Sequence, residues 1–333
     1  MENIKATMSE CMETDKPLVS IVMAMYHPRM EWLIEQLDSL NAQTYPNLEL
    51  LICDDGPDMP TDDLIFQEHI TAFPWKLVRN EENLGSNKTF ERLTGMANGV
   101  YVAYCDQDDV WLPEKIDKYV ICLEAREKAG LVCSDMIIID WQGKFKSDSI
   151  TKVRKHHRFK EGHGLASYLL TSNFVTGCAM MIRAELARKA IPFCPYMVHD
   201  HWLALYTAYH AEIAYLNEPL ICYRIHSENQ TSMMAGVEDK LTYVKYRLIE
   251  PLARMEWLKD YYQQDDSQRE IIQKAIVWYQ ARIGKYHNEK GKCALVWKFR
   301  EFGLWASLFD LVAPHFPERI FQFIIRLKKK NII

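Results

Sequence analysis

Three aspartates, Asp106, Asp108 and Asp109, directly follow an apolar run in the stretch VYVAYCDQDDVWLPEKI. Carboxylates this crowded repel one another, so water or a cation must compensate their charge. Two carboxylates spaced i and i+2 on an extended loop can bind a divalent cation through oxygen, and that cation can neutralise a diphosphate. The alternative is that the acids cap a helix beginning near Pro113. The stretch therefore predicts either a metal site or a helix cap.

A second pair of acids, Asp54 and Asp55, ends the apolar run LELLICDD, and a polar NLGSN loop follows the next strand-like segment. Acids at neighbouring strand ends favour the metal interpretation, because the carboxyl ends of parallel strands meet at one edge of a sheet. The chain contains neither a GxxxxGK[ST] nor a GxGxxG loop. Phosphates are therefore predicted to be bound through metal rather than by a glycine-rich loop.

The elements that must position these acids alternate between strand-like and helix-like segments. Four apolar runs predict strands: 18–26, 48–56, 75–80 and 100–105. One helix is predicted over 29–42, and another from an N-cap at Ser86 or Asn87 to Gly99. This alternation predicts an α/β fold with a mostly parallel sheet flanked by helices.

The second half of the chain has a different pattern. A helix over 113–128 and a strand over 130–140 lead into the polar, basic stretch 143–164, which predicts a mobile loop or an insertion beside the site. Asp200 lies at a helix start, where the helix dipole favours an acid. The motif YRIH ends the last predicted strand at His226, and the rest of the chain is helical.

Composition limits the class of protein. The 333 residues are 48% hydrophobic and 26% charged, which is ordinary for a globular protein. A net charge of −5 argues against a partner that is nucleic acid. Nine scattered cysteines, the absence of a signal-peptide core and the absence of an apolar run of about 20 residues favour a cytoplasmic protein that does not cross the membrane.

Several motifs in register resemble one family. PLVSIVMAMYHPRMEW, LELLICDDG, RNEENLGSN, CDQDDVWLPEKI, NFVTGCAMM, HDHWLAL and YRIHSENQT together resemble a bacterial family 2 glycosyltransferase of the rhamnosyltransferase-like kind, over residues 16–231. The resemblance implies a GT-A fold, Rossmann-like, with a C-terminal helical extension. The implied organisation is an N-terminal tail (1–15), a catalytic domain (16–234) with a nucleotide-binding half (16–112) and an acceptor-side half (113–234), and a helical region (235–333).

The resemblance also implies roles for particular residues. Those expected to bind the nucleotide-sugar donor are Ala24, Met25, Tyr26, Asp54, Asp55, Asn83, Gly85, Lys88, Asp106, Gln107 and Arg224. Those expected to bind Mg²⁺ or Mn²⁺ are Asp106, Asp108 and His226. Asp200 matches the catalytic base. The HPR after Tyr26 departs from the Asn and small residue that many members carry there.

The implied activity is an inverting, metal-dependent transfer of a sugar, with rhamnose one candidate, from a dTDP- or UDP-sugar to a saccharide or lipid-linked acceptor of a bacterial surface polysaccharide. A nucleotidyltransferase is the enzymatic alternative, although AMYHPRMEW lacks the glycine-rich loop expected of that class. A catalytically silent carbohydrate-binding or scaffold protein is the other. At single residues, Asp200 could be an N-cap, His226 a structural histidine, and His199 with His201 a zinc site.

The C-terminal segment ERIFQFIIRLKKKNII predicts a basic amphipathic helix. One face carries Ile320, Phe321, Ile324 and Leu327. The other face carries Arg319, Arg326 and Lys329, and Lys328 and Lys330 extend the basic end. Such a helix can lie on an anionic membrane, as a peripheral contact. The alternative is packing on the catalytic domain or on a second copy of the chain in a homo-oligomer.

Overall fold

The computed structural model describes residues 16–154, 157–226 and 236–329. The predicted tail over 1–15, the predicted boundary between 234 and 235, and residues 330–333 lie outside these ranges. The chain divides into two compact units. Unit 1 comprises the described residues up to 163, with 174–193 and 199–226, and unit 2 comprises 164–173, 194–198 and 236–329.

Unit 1 is built on a nine-stranded sheet in the order β3-β2-β1-β4-β8-β6-β9-β5, with β7 paired to β6. Its strands are β1 Val19–Met25, β2 Leu48–Asp54, β3 Trp75–Arg79, β4 Tyr101–Cys105, β5 Val110–Trp111, β6 Ala129–Asp140, β7 Phe145–Ser147, β8 Met180–Arg183 and β9 Glu212–Ile225. Its helices are α1 Met30–Asn41, α2 Leu64–His69, α3 Ser86–Met96, α4 Lys115–Ala125, α5 Ile150–Val153, α7 Ala184–Lys189 and α8 His199–His210. The predicted α/β fold is confirmed.

The sheet changes character halfway across. Strands β3, β2, β1 and β4 are parallel to one another. Strand β8 then runs antiparallel to both β4 and β6, while β6 and β9 are parallel. The parallel arrangement therefore holds for the first four strands, whereas β5 and the strands of the acceptor-side half form the mixed part of the sheet. The residues of β1 and β2 are mostly buried on both faces, as expected for parallel strands in a sheet that is covered by helices.

Three local predictions differ from the structure. Helix α3 begins at Ser86 itself, so neither Ser86 nor Asn87 is its N-cap, and the preceding Gly85 adopts φ +79°, a conformation that favours glycine. The same helix ends at Met96 rather than at Gly99. The polar stretch after Gly143 is not only loop, since it contains β7 and α5.

Unit 2 is helical, as predicted for the C-terminal region. Its helices are α6 Ala166–Leu169, α9 Lys240–Val244, α10 Glu250–Tyr261, α11 Asp266–Tyr286, α12 Lys292–Lys298, α13 Leu304–Val312 and α14 Glu318–Lys329, and a π-helical turn, Lys245–Ile249, joins α9 to α10. A buried ion pair between Arg282 and Asp310, 2.6 Å apart, lies in the interior of this unit. Tyr243 and Tyr286 each donate a hydrogen bond of 3.0 Å to Asp310 Oδ1, so the buried carboxylate is well satisfied.

The tail helix α14 packs within unit 2. Phe321 and Ile325 are buried, and the ring of Phe321 lies 5.6 Å from Tyr243 and 5.7 Å from Phe309. The buried face is therefore rotated from the predicted one, because Ile320 remains exposed. None of the helices within the described ranges is both long enough and apolar enough to span a bilayer.

Candidate active site

The DQDD loop meets the end of β9. After β4 ends at Cys105, the chain turns and forms β5, which pairs antiparallel with β9. This pairing brings His226 to the loop, and His226 Nε2 lies 2.8 Å from Asp108 Oδ2. Both side chains are largely buried. Asp108 and His226, two of the predicted metal ligands, are therefore direct neighbours although 118 positions separate them in the chain.

Asp109 ties the loop to the same strand. It is fully buried, and its Oδ1 accepts a 2.9 Å hydrogen bond from the backbone N–H of Arg224. Helix α4 begins at Lys115, and the side chain of its N-cap residue, Glu114, makes no capping hydrogen bond. The alternative that the DQDD acids cap this helix is therefore wrong, because Asp109 accepts a hydrogen bond from the backbone of β9 instead.

Asp106 lies between two other acids. Burial, together with the charges of Asp108 and Asp200, raises the pKa of Asp106 to about 7. Burial and the charges of Asp108 and Asp106 also raise the pKa of Asp109 well above its usual range. The charges of Asp108 and Asp200 thus both act on Asp106, and negative charge is crowded after β4.

A buried lysine compensates part of this charge. Lys115 is fully buried, its Nζ lies 3.3 Å from the ring centroid of Trp111, and it donates a hydrogen bond to the carbonyl of Cys178. Burial lowers the pKa of Lys115 to about 8, and the negative charges of Asp109 and Asp106 oppose that shift. Sequence analysis missed this residue. The available signal was its i, i+4 spacing to the buried Tyr119, which places Lys115 on the apolar face of α4.

Cys178 completes the buried side of the cluster. One ligand atom each from Asp106, Asp109 and Cys178 lie within 4.8 Å of one another. Burial raises the pKa of the Cys178 thiol well above its usual range, and the thiol hydrogen-bonds with Asp109. A protonated thiol is a poor ligand for a hard cation, whereas carboxylate oxygens suit Mg²⁺ and Mn²⁺. Asp108 lies beside His226, whereas the ligand atom of Asp106 is grouped with those of Asp109 and Cys178, so the predicted set of Asp106, Asp108 and His226 stays a prediction.

Arg224 positions the acidic loop. The guanidinium is buried, its Nε donates to the carbonyl of Asp108 at 2.7 Å, and it forms an ion pair with Glu35. The ring of Trp32 lies 5.4 Å from this guanidinium and 4.7 Å from the ring of His226. Glu35 and Trp32 were not predicted as site residues. Their i, i+3 spacing, which places both side chains on one face of α1, was the available signal. The same position of Trp32 is equally typical of a core residue.

Asp200 is held by the backbone of the TGCAM segment. It lies in the first turn of α8, and its Oδ2 accepts a 3.0 Å hydrogen bond from the N–H of Gly177. The neighbouring His199 is buried between Phe90 and Tyr104, with ring centroids 4.0 and 5.3 Å away. Burial lowers the pKa of His199 to about 3, so the ring is neutral.

Gly177 must be a glycine for steric reasons. A Cβ atom on Gly177 would lie 2.5 Å from Nε2 of His199, far inside van der Waals contact. The backbone of Gly177 thus lies close to the ring of His199, and its N–H donates the hydrogen bond that orients Asp200. The zinc alternative gains no support, because the one close group of three or more potential metal ligands within the described ranges is Asp106, Asp109 and Cys178.

The acids after β2 have a different environment. Asp54 accepts hydrogen bonds from the N–H groups of Gly56 and Thr61 at 3.0 and 2.8 Å. Asp55 accepts from Asn80 Nδ2 and from the N–H groups of Leu84 and Gly85, at 2.6, 2.9 and 2.8 Å. Both carboxylates are buried. They organise the loops that follow β2 and β3, and their predicted contact with the base stays a prediction.

The remaining predicted donor-binding residues lie around these loops. The side chain of Gln107 forms two hydrogen bonds with the backbone of Tyr26. Its Oε1 accepts from the N–H at 2.9 Å, and its Nε2 donates to the carbonyl at 3.1 Å. Tyr26 is exposed at the end of β1, after the partly buried Ala24 and the buried Met25. Asn83 Oδ1 accepts from the N–H of Gly85 at 3.0 Å. Lys88 Nζ lies 2.8 Å from Glu91 Oε1 on the surface of α3.

Trp111 and Trp202, which flank the site in sequence, are buried packing residues. Trp202 Nε1 donates a 2.8 Å hydrogen bond to the carbonyl of Ala190. Neither indole is available as an exposed platform for a sugar ring, in agreement with the packing role that their sequence context favours.

Comparison with known proteins agrees with this geometry. The model of the family described as Glycosyl transferase family 2 matches residues 20–190. An uncharacterized glycosyltransferase of Methanocaldococcus jannaschii is 26% identical over 242 residues, which cover 71% of this chain and 80% of the relative. One from Nostoc sp. is 28% identical over 251 residues, covering 69% and 76%.

Solved structures share the fold at low sequence identity. Staphylococcus aureus TarS, residues 1–349, in complex with UDP-GlcNAc gives a TM-score of 0.57 at 12% identity, covering 94% of this chain and 92% of TarS. The mannosyltransferase PcManGT from Pyrobaculum calidifontis, in complex with GDP-Man and Mn²⁺, gives 0.52 at 14% identity, covering 90% and 76%.

The sheet topology and the acidic site at its strand ends define a glycosyltransferase of the GT-A fold. The family model covers just over half of the chain. The chain therefore belongs to glycosyltransferase family 2.

Proposed function

We propose that this enzyme transfers a sugar from a dTDP- or UDP-sugar, with rhamnose one candidate sugar, to a hydroxyl of a saccharide or lipid-linked acceptor during synthesis of a bacterial surface polysaccharide. The observation that carries the proposal is the cluster after β4, in which Asp108 contacts His226 and the charges of Asp108 and Asp200 both act on Asp106. We infer that a donor-binding set and a base act there on one bond. A cytoplasmic location with a peripheral membrane contact belongs to the same proposal.

The donor side is the Asp106, Asp108 and His226 set. These residues would hold Mg²⁺ or Mn²⁺, which when bound offsets the charge of a diphosphate. In support, two structures of the same fold contain nucleotide sugars, and one of them contains Mn²⁺. Asp108 is kept in place by two contacts, His226 at its carboxylate and Arg224 at its carbonyl. Arg224 is committed to the loop and to Glu35, so we assign it to positioning and not to direct phosphate contact.

The acceptor side is Asp200. We assign it the role of general base, which takes the proton from the acceptor hydroxyl as that oxygen attacks the anomeric carbon. The bond from the anomeric carbon to the diphosphate oxygen breaks at the same time, and its electron pair leaves on that oxygen. The hydrogen bond from Gly177 fixes the orientation of the carboxylate before the acceptor arrives.

One base acting on an external hydroxyl predicts inversion at the anomeric carbon. A retaining route through a glycosyl-enzyme would need a second carboxylate as nucleophile. Asp109 is the nearest further carboxylate, but it is fully buried and bonded to the backbone of Arg224. It is therefore unsuited to attack a sugar, which favours the single-displacement route.

Donor turnover tests the proposal. Purified protein is incubated with Mg²⁺ or Mn²⁺ and a panel of UDP-, dTDP- and GDP-sugars, and release of nucleoside diphosphate and binding of nucleotide are measured on the same samples. We expect turnover of one sugar, loss of metal-dependent binding in Asp108→Ala, and loss of about 10³-fold or more in turnover with retained binding in Asp200→Asn. Asp148→Asn, a change at an exposed acid paired with Lys152, is the matched control.

Two outcomes would contradict the proposal. If no nucleotide binds with either metal, the fold serves as a catalytically silent scaffold. If Asp200→Asn turns over donor as well as Asp148→Asn does, the base lies elsewhere. Analysis of the product by NMR separately tests inversion, since a retained anomeric configuration contradicts a single displacement.

A further inference from the structure

Charge is segregated along the chain. The last 42 residues carry eight Lys and Arg against three Asp and Glu, whereas the first 291 carry 32 against 42. One of the three C-terminal acids, Asp310, is buried and paired with Arg282, so it does not contribute negative charge to the surface. The C-terminal helices are therefore a basic segment in an otherwise acidic protein, and they favour an anionic partner.

Helix α13 presents an apolar face to solvent within this basic segment. Ser307 and Asp310 are buried and mark its inner side. The outer side carries four exposed apolar residues, which we call the α13 face: Leu304, Trp305, Leu308 and Val312. Leu304, Leu308 and Val312 follow one another at i+4 spacing, so they form a continuous stripe. Trp305 is 79% exposed, an unusual position for the largest apolar side chain.

Cations border this face. Lys298, Arg300, Glu301 and Leu304 line one shallow depression at the start of α13, so two cations and one acid border the face there. The guanidinium of Arg300 lies 4.5 Å from the ring centroid of Trp297, which is itself half exposed. Apolar and aromatic side chains are thus interleaved with positive charge, as in segments that lie in the interface of a membrane, where Trp inserts at the headgroup level and Lys or Arg contacts lipid phosphate.

We propose that the α13 face, with Lys298 and Arg300, docks this protein on the surface of a bilayer that contains anionic lipid. A second copy of this chain fits less well, because a symmetric contact would oppose the same cations. Nucleic acid would use the cations but would leave the Leu and Val stripe exposed to water. The inference deepens the proposed peripheral membrane location and is independent of the donor chemistry.

The packing of α14 explains why the contact lies on α13 and not on the predicted face of the tail. Phe321 and Ile325 are buried within unit 2, so Phe321 is withdrawn from the predicted face and Ile320 is its one exposed member. Deleting the tail would expose Tyr243 and Phe309, and loss of binding would then report unfolding. Point substitutions on α13 avoid this problem, because the side chains concerned already face water.

The test uses the full chain and two kinds of vesicle, phosphatidylcholine alone and phosphatidylcholine with about one third phosphatidylglycerol. Binding is measured by co-sedimentation. We expect the protein to bind the anionic vesicles, Trp305→Glu to lower binding at least tenfold, and Leu241→Glu to leave it unchanged. Leu241 is the matched control because it is also 79% exposed but lies on α9.

Further arms separate the alternatives. Lys298→Ala with Arg300→Ala should weaken binding to anionic vesicles, and high salt should do the same. Equal binding by Trp305→Glu and Leu241→Glu, or no binding to either vesicle, would overturn the proposal. So would a change in molecular mass by light scattering in Trp305→Glu, which would make the face a contact between copies. Turnover of donor with a water-soluble acceptor should be unchanged in Trp305→Glu, so failure here and failure of the proposed activity are distinguishable.

Discussion

The acids at the end of β2 and those after β4, both in unit 1, have different surroundings. After β2, Asp54 and Asp55 together accept four backbone N–H groups and one Asn side chain. After β4, Asp106, Asp108 and Asp109 face one another, a histidine and a buried lysine. The charge of the first pair is compensated by hydrogen bonds that hold the loops in place. The carboxylates of the second set repel one another. Only the second arrangement is suited to bind a cation, because its oxygens are not already saturated by donors.

Removing a β2 acid should have the largest effect on stability. Asp55→Ala deletes the acceptor of three hydrogen bonds in a buried position, so we expect the free energy of unfolding to fall by about 2–4 kcal/mol. Asp108→Asn should change it by no more than about 1 kcal/mol, because the loss of a contact with His226 is offset by relief of repulsion. Urea unfolding measures both. Equal losses would break the comparison.

Gly177→Ala tests whether the function of Asp200 depends on the hydrogen bond that its carboxylate accepts from the N–H of Gly177. The new Cβ would meet His199 Nε2, so the TGCAM segment and α8 must separate. We expect kcat to fall by about tenfold to a hundredfold, with donor affinity unchanged. Adding His199→Ala removes the clash and should restore part of kcat. A double variant that is no better than the single one would argue against this steric account.

The pH dependence of stability should distinguish the β4 acids. The folded-state pKa of Asp106, about 7, lies above its ordinary value of 3.8, so the folded state binds more protons between these values. Stability is therefore greatest at low pH in this window and is lost as pH rises towards 7. Between pH 5 and pH 6 in EDTA, we expect a loss of about 1 kcal/mol in the free energy of unfolding.

Asp106→Asn is the control for that measurement, since it removes the titrating group and should flatten the profile. Asp109 has the same direction of shift and will contribute the same sign. A profile that rises with pH over this range in the unmodified protein would show that the β4 acids are neutralised by neighbours, as the β2 acids are.

The smallest effect is expected at Lys88. Its ion pair with Glu91 lies on the surface, so Lys88→Ala should change the free energy of unfolding by less than about 0.5 kcal/mol. If Lys88 contacts the donor, the KM for the donor should nevertheless rise severalfold. Lys189→Ala, which removes the exposed pair with Glu185, is the matched control. An unchanged KM would remove Lys88 from the donor site.

Local sequence patterns predicted much of this molecule. Four apolar runs, two of which end in acids, predicted four strands close to where they lie, and the alternation with helices predicted the α/β fold. The predictions of an N-cap at Ser86 or Asn87 and of a cap by the DQDD acids were wrong. Both errors have one cause: short polar side chains are typical of a helix start, but here other contacts decide the structure. Gly85 is the N-cap residue of α3, and Asp109 accepts a hydrogen bond from the backbone of Arg224 in β9.

Sequence reasoning could not rank the two sets of acids. Asp54 and Asp55 look as suited to a ligand as Asp106 and Asp108 do, because both pairs follow a buried strand. Lys115 and Glu35 carried no chemical motif, and their roles come from contacts with Cys178 and Arg224 far along the chain. Arg224 was predicted to meet phosphate, yet it lies buried behind the loop.

The sequence by itself determined the first four strands of unit 1, the acids after β2 and β4, and the family to which the chain belongs. Tertiary structure decided which acids carry uncompensated charge. That depends on the pairing of β5 with β9 and on the contact of Gly177 with Asp200, which join residues distant in the chain. The physical reason is that the charge state of a carboxylate is set by the donors and charges within a few ångströms, and these neighbours are brought there by folding.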